Sequence, residues 1–238
     1  MPVRVLAALV LAAACSAALA VERPFVLSDT ALQEDDDERV FELDTWLEKG
    51  RGQTALNTEL QYNFVPDFSI EFGWGRRLAR TGDAREAETE LETGLRKVLR
   101  DPARHGLGVA FVLEVEAARK VVDGEREGWR YAATNAAVPL SWQWGRVWTH
   151  LTLGLQHARH EGTRPLAALA LQGRVARPLE WFAEWGAVRE RMGVAQAGVR
   201  WWLVRERVAL DLAVARQREG SERAETIMLG LSLKDLSF

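Results

Sequence analysis

The residues best suited to reactive chemistry in this chain are four histidines and a few serines, and their spacing is poor. His157 and His160 stand three apart beside Glu161. Imidazoles bind divalent metals well, but residues three apart on an extended chain point to opposite faces. The pair reads as surface loop, and no metal site is expected. Ser69, Ser141 and Ser232 lie in strand-like segments, and nothing in the sequence pairs any of them with His150. There is no glycine-rich phosphate loop; Gly73 and Gly75 flank Trp74 in a strand-like run, where glycine leaves room for curvature. No catalytic residue and no cofactor is expected.

Carboxylates are the better clue, because they recur at a fixed period. The stretch Thr54–Gly75 reads TALNTELQYNFVPDFSIEFGWG. Leu56, Leu60, Tyr62 and Phe64 occupy alternate positions against Asn57, Glu59, Gln61 and Asn63. After Pro66-Asp67 the alternation resumes with Phe68, Ile70, Phe72 and Trp74 against Ser69 and Glu71. Period two means strand, and Pro-Asp is turn chemistry, so the stretch is a hairpin with one apolar and one polar face. The pattern starts at Phe41, where Phe41, Leu43 and Leu47 oppose Glu42, Asp44 and Trp46. It returns to the last residue, and twelve strands are counted. Residues 85–97, REAETELETGLRK, are rich in helix formers, yet their alternation fits a strand better.

The connections fall into two series. Residues 65–67, 101–106, 143–146, 176–179 and 204–207 are short turns. Residues 79–84, 119–128, 158–163, 189–193 and 218–223 are mostly longer and more charged, and 49–52 is the short member of that series. Short turns on one rim and long loops on the other mark an all-β, up-and-down antiparallel transmembrane β-barrel. With an even strand number both termini lie on the short-turn, periplasmic side.

Strand parity assigns Glu42, Asp44, Glu59, Glu71, Glu88, Glu90, Glu92, Glu114, Glu116, Glu180, Glu184 and Asp211 to the polar faces, with Arg77, Arg96, Arg174, Arg200 and His150. A soluble barrel that turned its aliphatic faces inward would satisfy each strand as well. Twelve strands, however, enclose more space than single side chains fill, since about eight suffice for a packed interior. Trp142, Trp144, Trp181 and Trp201 sit near strand ends on the apolar faces, as an interfacial aromatic girdle would. The apolar faces are therefore expected to meet lipid, and these charges to line the lumen.

The ends agree with export. Residues 1–20 carry Arg4, an apolar run and Ala18-Leu19-Ala20, the pattern of a secretory signal peptide. Its removal takes away Cys15, the one cysteine. Residues 21–37 show no alternation and include the acidic run Glu34–Glu38; they are expected to form a solvated periplasmic segment, ahead of a barrel spanning 38–238. A net charge of −3 with no clustered basic face gives no reason to expect a nucleic-acid partner.

ERPFVLSDTALQEDDDERVFELDTWLE resembles the mature start of a group of proteobacterial outer-membrane proteins that open RPFVTDDA. These look related to the outer-membrane channels named for the MetA pathway of phenol degradation. Arg23, Pro24, Phe25, Val26 and Asp29 match, whereas Leu27, Ser28 and Thr30 depart. WWLVRERVALDLAVARQ, residues 201–217, resembles the group's penultimate hairpin. The resemblance implies a barrel of the twelve-stranded type and passage of small apolar compounds; it carries over no functional residue. The terminal aromatic, Phe238, is typical of outer-membrane barrels, whose last strand is read by the insertion machinery.

The expected function is a passive outer-membrane channel for small solutes, apolar or aromatic ones included. Its lumen charges and the loop at 119–128 would set selectivity. Two alternatives stay open: a non-conducting barrel braced by its own charge network, and a soluble periplasmic barrel around an apolar ligand.

Overall fold

The computed structural model describes residues 25–32, 40–65, 67–81, 84–219 and 222–236. The signal region, the acidic run Glu34–Glu38 and Phe238 lie outside them. Within them the chain is a closed antiparallel barrel with twelve wall strands in sequence order. These are β1 (Val40–Gly50), β2 (Gln53–Val65), β3 (Phe68–Thr81), β4 (Ala84–Arg100), β5 (Leu107–Val122), β7 (Arg130–Trp144), β8 (Val147–Ala158), β9 (Gly162–Ala176), β10 (Leu179–Val188), β11 (Met192–Val204), β12 (Val208–Glu219) and β13 (Glu222–Leu236). The two-residue β6 (Glu125–Arg126) only extends the β5 hairpin. The sheet closes where β1 pairs with β13, setting Leu43 opposite Leu233 and Leu47 opposite Leu229.

Alternation decides the wall. The glutamate-rich stretch at 85–97 lies within β4, paired on both edges, so its period-two pattern overrides its helix propensity. The aliphatic faces point out: Leu155 is 54% exposed, Val214 61% and Ile227 58%. A soluble protein rarely leaves so extended an apolar surface bare, so a barrel with its aliphatic faces turned inward is excluded.

Two connections differ from the sequence expectation. The turn at 101–106 contains a short helix, α1 (Pro102–His105), started by Asp101, whose Oδ1 accepts from the Ala103 N–H at 2.9 Å, and ended by Gly106 at φ 76°. The loop at 119–128 is largely strand: β5 continues through Val122 and folds back on β6, leaving Asp123-Gly124 at the tip. That hairpin is exposed, with the Arg119 guanidinium 4.7 Å from the Trp129 ring centre.

Candidate functional site

The inner faces of the two halves of the wall are unlike. Strands β1 to β5 turn Asp44, Glu59, Glu92, Glu114 and Glu116 toward a common cavity. Strands β9 to β13 turn in several small or apolar residues beside their charged ones, among them Ala168, Ala170, Phe182, Ala213, Ala215 and Met228, all buried. At Gly198 an added Cβ would come within 2.4 Å of the Phe182 ring, so only glycine lets that ring lie flat against β11. Side chains this small cannot fill a twelve-stranded lumen.

Residues 25–32 fill it instead. The segment expected in the periplasm as part of one acidic stretch enters the barrel here, and Thr30 and Ala31 are wholly buried. The wall receives its backbone group by group. Glu184 on β10 accepts the N–H of Val26 at 2.7 Å, of Leu27 at 2.8 Å and of Ser28 at 2.5 Å. Thr152 Oγ1 on β8 accepts the Asp29 N–H at 2.9 Å, and Ser141 Oγ on β7 accepts that of Ala31 at 2.7 Å. From β4 the Arg96 guanidinium donates to the carbonyls of Thr30 at 2.7 Å and Leu32 at 2.9 Å. Side chains follow the backbone. Phe25 packs edge-on against Phe182 with ring centres 6.1 Å apart, and lies 5.9 Å from the His150 ring. At Gly108 an added Cβ would fall 2.8 Å from the Ala31 carbonyl oxygen, so the wall is hollowed where the segment passes. Ser141, Arg96 and Gly108 all stand near short-turn ends of their strands, so the segment enters from that rim.

The charges expected in the lumen divide by height. Near the short-turn rim they are paired. Arg200 forks onto Asp211 at 2.7 and 2.8 Å, Arg174 reaches Glu180 at 3.2 Å, and Glu42 faces Lys234 at 3.2 Å. Lys234 is fully buried, and the parity reading passed over it. Glu71 and Glu184 are buried in the same region. Toward the loop rim, Glu88 meets Lys120 at 3.4 Å, while Arg77 and Glu90 are half-buried. Between the segment and the loop rim lies a cavity of about 280 Å³, bounded by Phe25, Trp46, Phe182 and Met228 as well as by the carboxylates of β1 to β5. No Lys or Arg is among the described residues that line it.

Of the four tryptophans read as a girdle, Trp144 is 80% and Trp201 53% exposed, and Trp142 and Trp181 are half-buried. All four stand beside short turns; at the same rim on β1 to β3, Phe41, Tyr62 and Phe64 stack and Phe68 meets Phe64 edge-on. Trp46, Trp148 and Trp202 point inward.

Sequence reasoning also missed a partnership: Ser141 Oγ lies 2.8 Å from His150 Nδ1, both wholly buried. The pair lacks the arrangement of a nucleophile and base. Ser141 also accepts the Ala31 N–H, and His150 Nε2 has no hydrogen bond among the described residues, so no acid orients the ring. It serves as a peg for the segment. The described residues hold no cluster of His, Cys, Asp and Glu suited to a metal; His157 instead faces Thr163 at 3.0 Å on the outside.

The chain matches the family described as Uncharacterised conserved protein UCP029691 over residues 9–234, and it belongs to that family. No curated protein matches it. Among solved structures, the KdgM porin superposes with a TM-score of 0.54 at 9% identity, covering 83% of this chain and 99% of that one. The CymD monoaromatic hydrocarbon channel gives 0.51 at 7% identity, covering 84% and 89%. The beta domain of the Bordetella autotransporter BrkA gives 0.50 at 14% identity, covering 85% and 100%. At such identities the likeness is one of fold.

Proposed function

We propose that this member of the UCP029691 family is a passive channel of the Gram-negative outer membrane for small solutes, closed by its own N-terminal segment. The way the lumen is filled carries the reading. A barrel built only as a brace would pack its interior with wall side chains. Here β9 to β13 present several alanines and a glycine inward among their charged residues, and residues 25–32, held mainly by their backbone, occupy the space. Withdrawal of that segment toward the periplasm would join the cavity to the short-turn rim.

The remaining features support the same setting. The aliphatic outer face suits hydrocarbon, and Trp142, Trp144, Trp181 and Trp201 suit an interface at the short-turn rim. The terminal aromatic residue, Phe238, would be read by the outer-membrane insertion machinery. The carboxylates around the cavity would enrich cations, and the exposed β5–β6 hairpin would meet solutes first. Passage of small apolar or aromatic compounds follows from the resemblance to the MetA-pathway channels and suits the apolar half of the wall. A bracing role is favoured by one observation, the buried ion pairs near the short-turn rim.

Conductance separates the two roles. Removal of residues 25–32 is expected to raise steady cation-selective conductance in planar bilayers about tenfold or more over the full chain. A heat-modifiability gel verifies that the shortened barrel is folded. A folded barrel without residues 25–32 that passes no current would overturn the channel and leave the brace.

A further inference from the structure

The slot that holds residues 25–28 has a defined chemistry. The Glu184 carboxylate is 4% exposed and accepts four hydrogen bonds, three from the segment and one from Gln196 Nε2 at 2.8 Å. All four donors are neutral. Among the described residues the wall supplies one of the four, Gln196, so departure of the segment uncovers the carboxylate and takes away three of its donors. A cation that brings its own donors can take their place. Three N–H groups converging on one carboxylate are what a primary ammonium offers, with a positive charge added.

Beside this carboxylate, Phe25 occupies an aryl-sized apolar pocket formed by Phe182, His150, Ala170, Ala213 and Met228. Three carbons separate the Val26 nitrogen from the Phe25 ring: a carbonyl carbon, Cα and Cβ. An arylalkylammonium of the same span places its cation at Glu184 and its ring where Phe25 lies. We propose that this slot is a binding site for small organic cations with an aryl or alkyl body, and that they open the channel by taking the segment's place. The inference rests on the channel reading and names the solute class for it. The acidic cavity above the slot concentrates cations and turns anions away, so it serves as an antechamber rather than the site.

The test uses the full chain carrying Ser28→Cys, whose buried side chain reports on the segment through its labelling rate with a water-soluble maleimide. The probe is 3-phenylpropylammonium, with 3-phenylpropan-1-ol and 3-phenylpropanoate as its neutral and anionic counterparts. The amine is expected to accelerate labelling about tenfold and to raise conductance, with no response to the other two. Glu184→Gln, which loosens the segment, is expected to raise basal labelling and to erase the response to the amine. Equal action by the alcohol would overturn the carboxylate's role and with it the proposal. No response to any probe, in a protein whose variant lacking residues 25–32 conducts, would overturn the binding site while the channel stands. A folded variant lacking 25–32 that stays silent would remove the channel and this site together.

Discussion

The lower and upper parts of the lumen use carboxylates in opposite ways. Near the short-turn rim three buried acids have clear partners: Lys234 for Glu42, Arg200 for Asp211, and the segment's N–H groups for Glu184. Around the cavity, Asp44, Glu59, Glu92, Glu114 and Glu116 gather with no Lys or Arg among the described lining. Both regions look alike in sequence, since each acid is one polar position in an alternating strand. They differ in what lies across the lumen. Where the N-terminal segment packs, water is excluded and a lone charge is costly, so acids there come paired. Where the cavity remains, the carboxylates border open space with no Lys or Arg among the described lining, and their field reaches a solute. A pair near the short-turn rim is thus a fastening, and an acid of the cavity is a field source.

Breaking the Lys234–Glu42 pair should give the largest effect on the barrel itself. Lys234→Met takes from buried Glu42 the cation 3.2 Å away, at a cost of about 3–5 kcal/mol. The temperature at which the folded band gives way to the unfolded band in a gel should fall accordingly. An unchanged transition would mean that water reaches Glu42, and the contrast between the two regions would fail there.

Arg96 comes next, because it fastens the segment rather than the wall. Its guanidinium reaches the Thr30 carbonyl, Thr30 Oγ1 at 3.1 Å and the Leu32 carbonyl. Arg96→Ala should weaken the segment's hold by about 2 kcal/mol, roughly thirtyfold in its open population. Open probability in bilayers measures this directly. A loss of barrel stability with no change in opening would instead make Arg96 part of the wall's bracing.

How far these roles could be read from sequence depends on the residue. The wall was legible because period two survives in every strand, and it fixed which way Glu59, Glu114 and Arg200 point. The segment was not legible, because residues 25–32 have no period and stand next to an acidic run that suggests solvent. Its trace was on the other side of the contact: inward positions such as Ala168, Ala170, Gly198 and Ala213 are too small for a lumen this wide. The Ser141–His150 pair was readable in principle. The two-residue turn at Gly145-Arg146 pairs Trp144 with Val147, and counting back three residues on each strand brings Ser141 opposite His150. Lys234 was passed over because LSLKDLSF ends in a mixed pattern, yet its parity is that of Ser232, which points inward.

The smallest structural effect is expected at the acids around the cavity, and it is the sharpest test of the contrast. Glu114 accepts a hydrogen bond from Asn135 Nδ2 at 3.1 Å, and Glu116 lies two residues further along β5 on the same inward face. The double variant Glu114→Gln, Glu116→Gln keeps shape and hydrogen-bonding capacity while removing two charges. Its stability should stay within about 0.5 kcal/mol of the parent, since the new amide oxygens still accept hydrogen bonds and no Lys or Arg stands among the described cavity lining. The cation-to-anion permeability ratio of the barrel lacking residues 25–32 should nevertheless fall by about twofold or more, because these charges set the field in the cavity. Reversal potentials in a salt gradient give that ratio. If stability drops while the ratio holds, these glutamates are fastenings like those near the short-turn rim, and the cavity does not work as a cation antechamber.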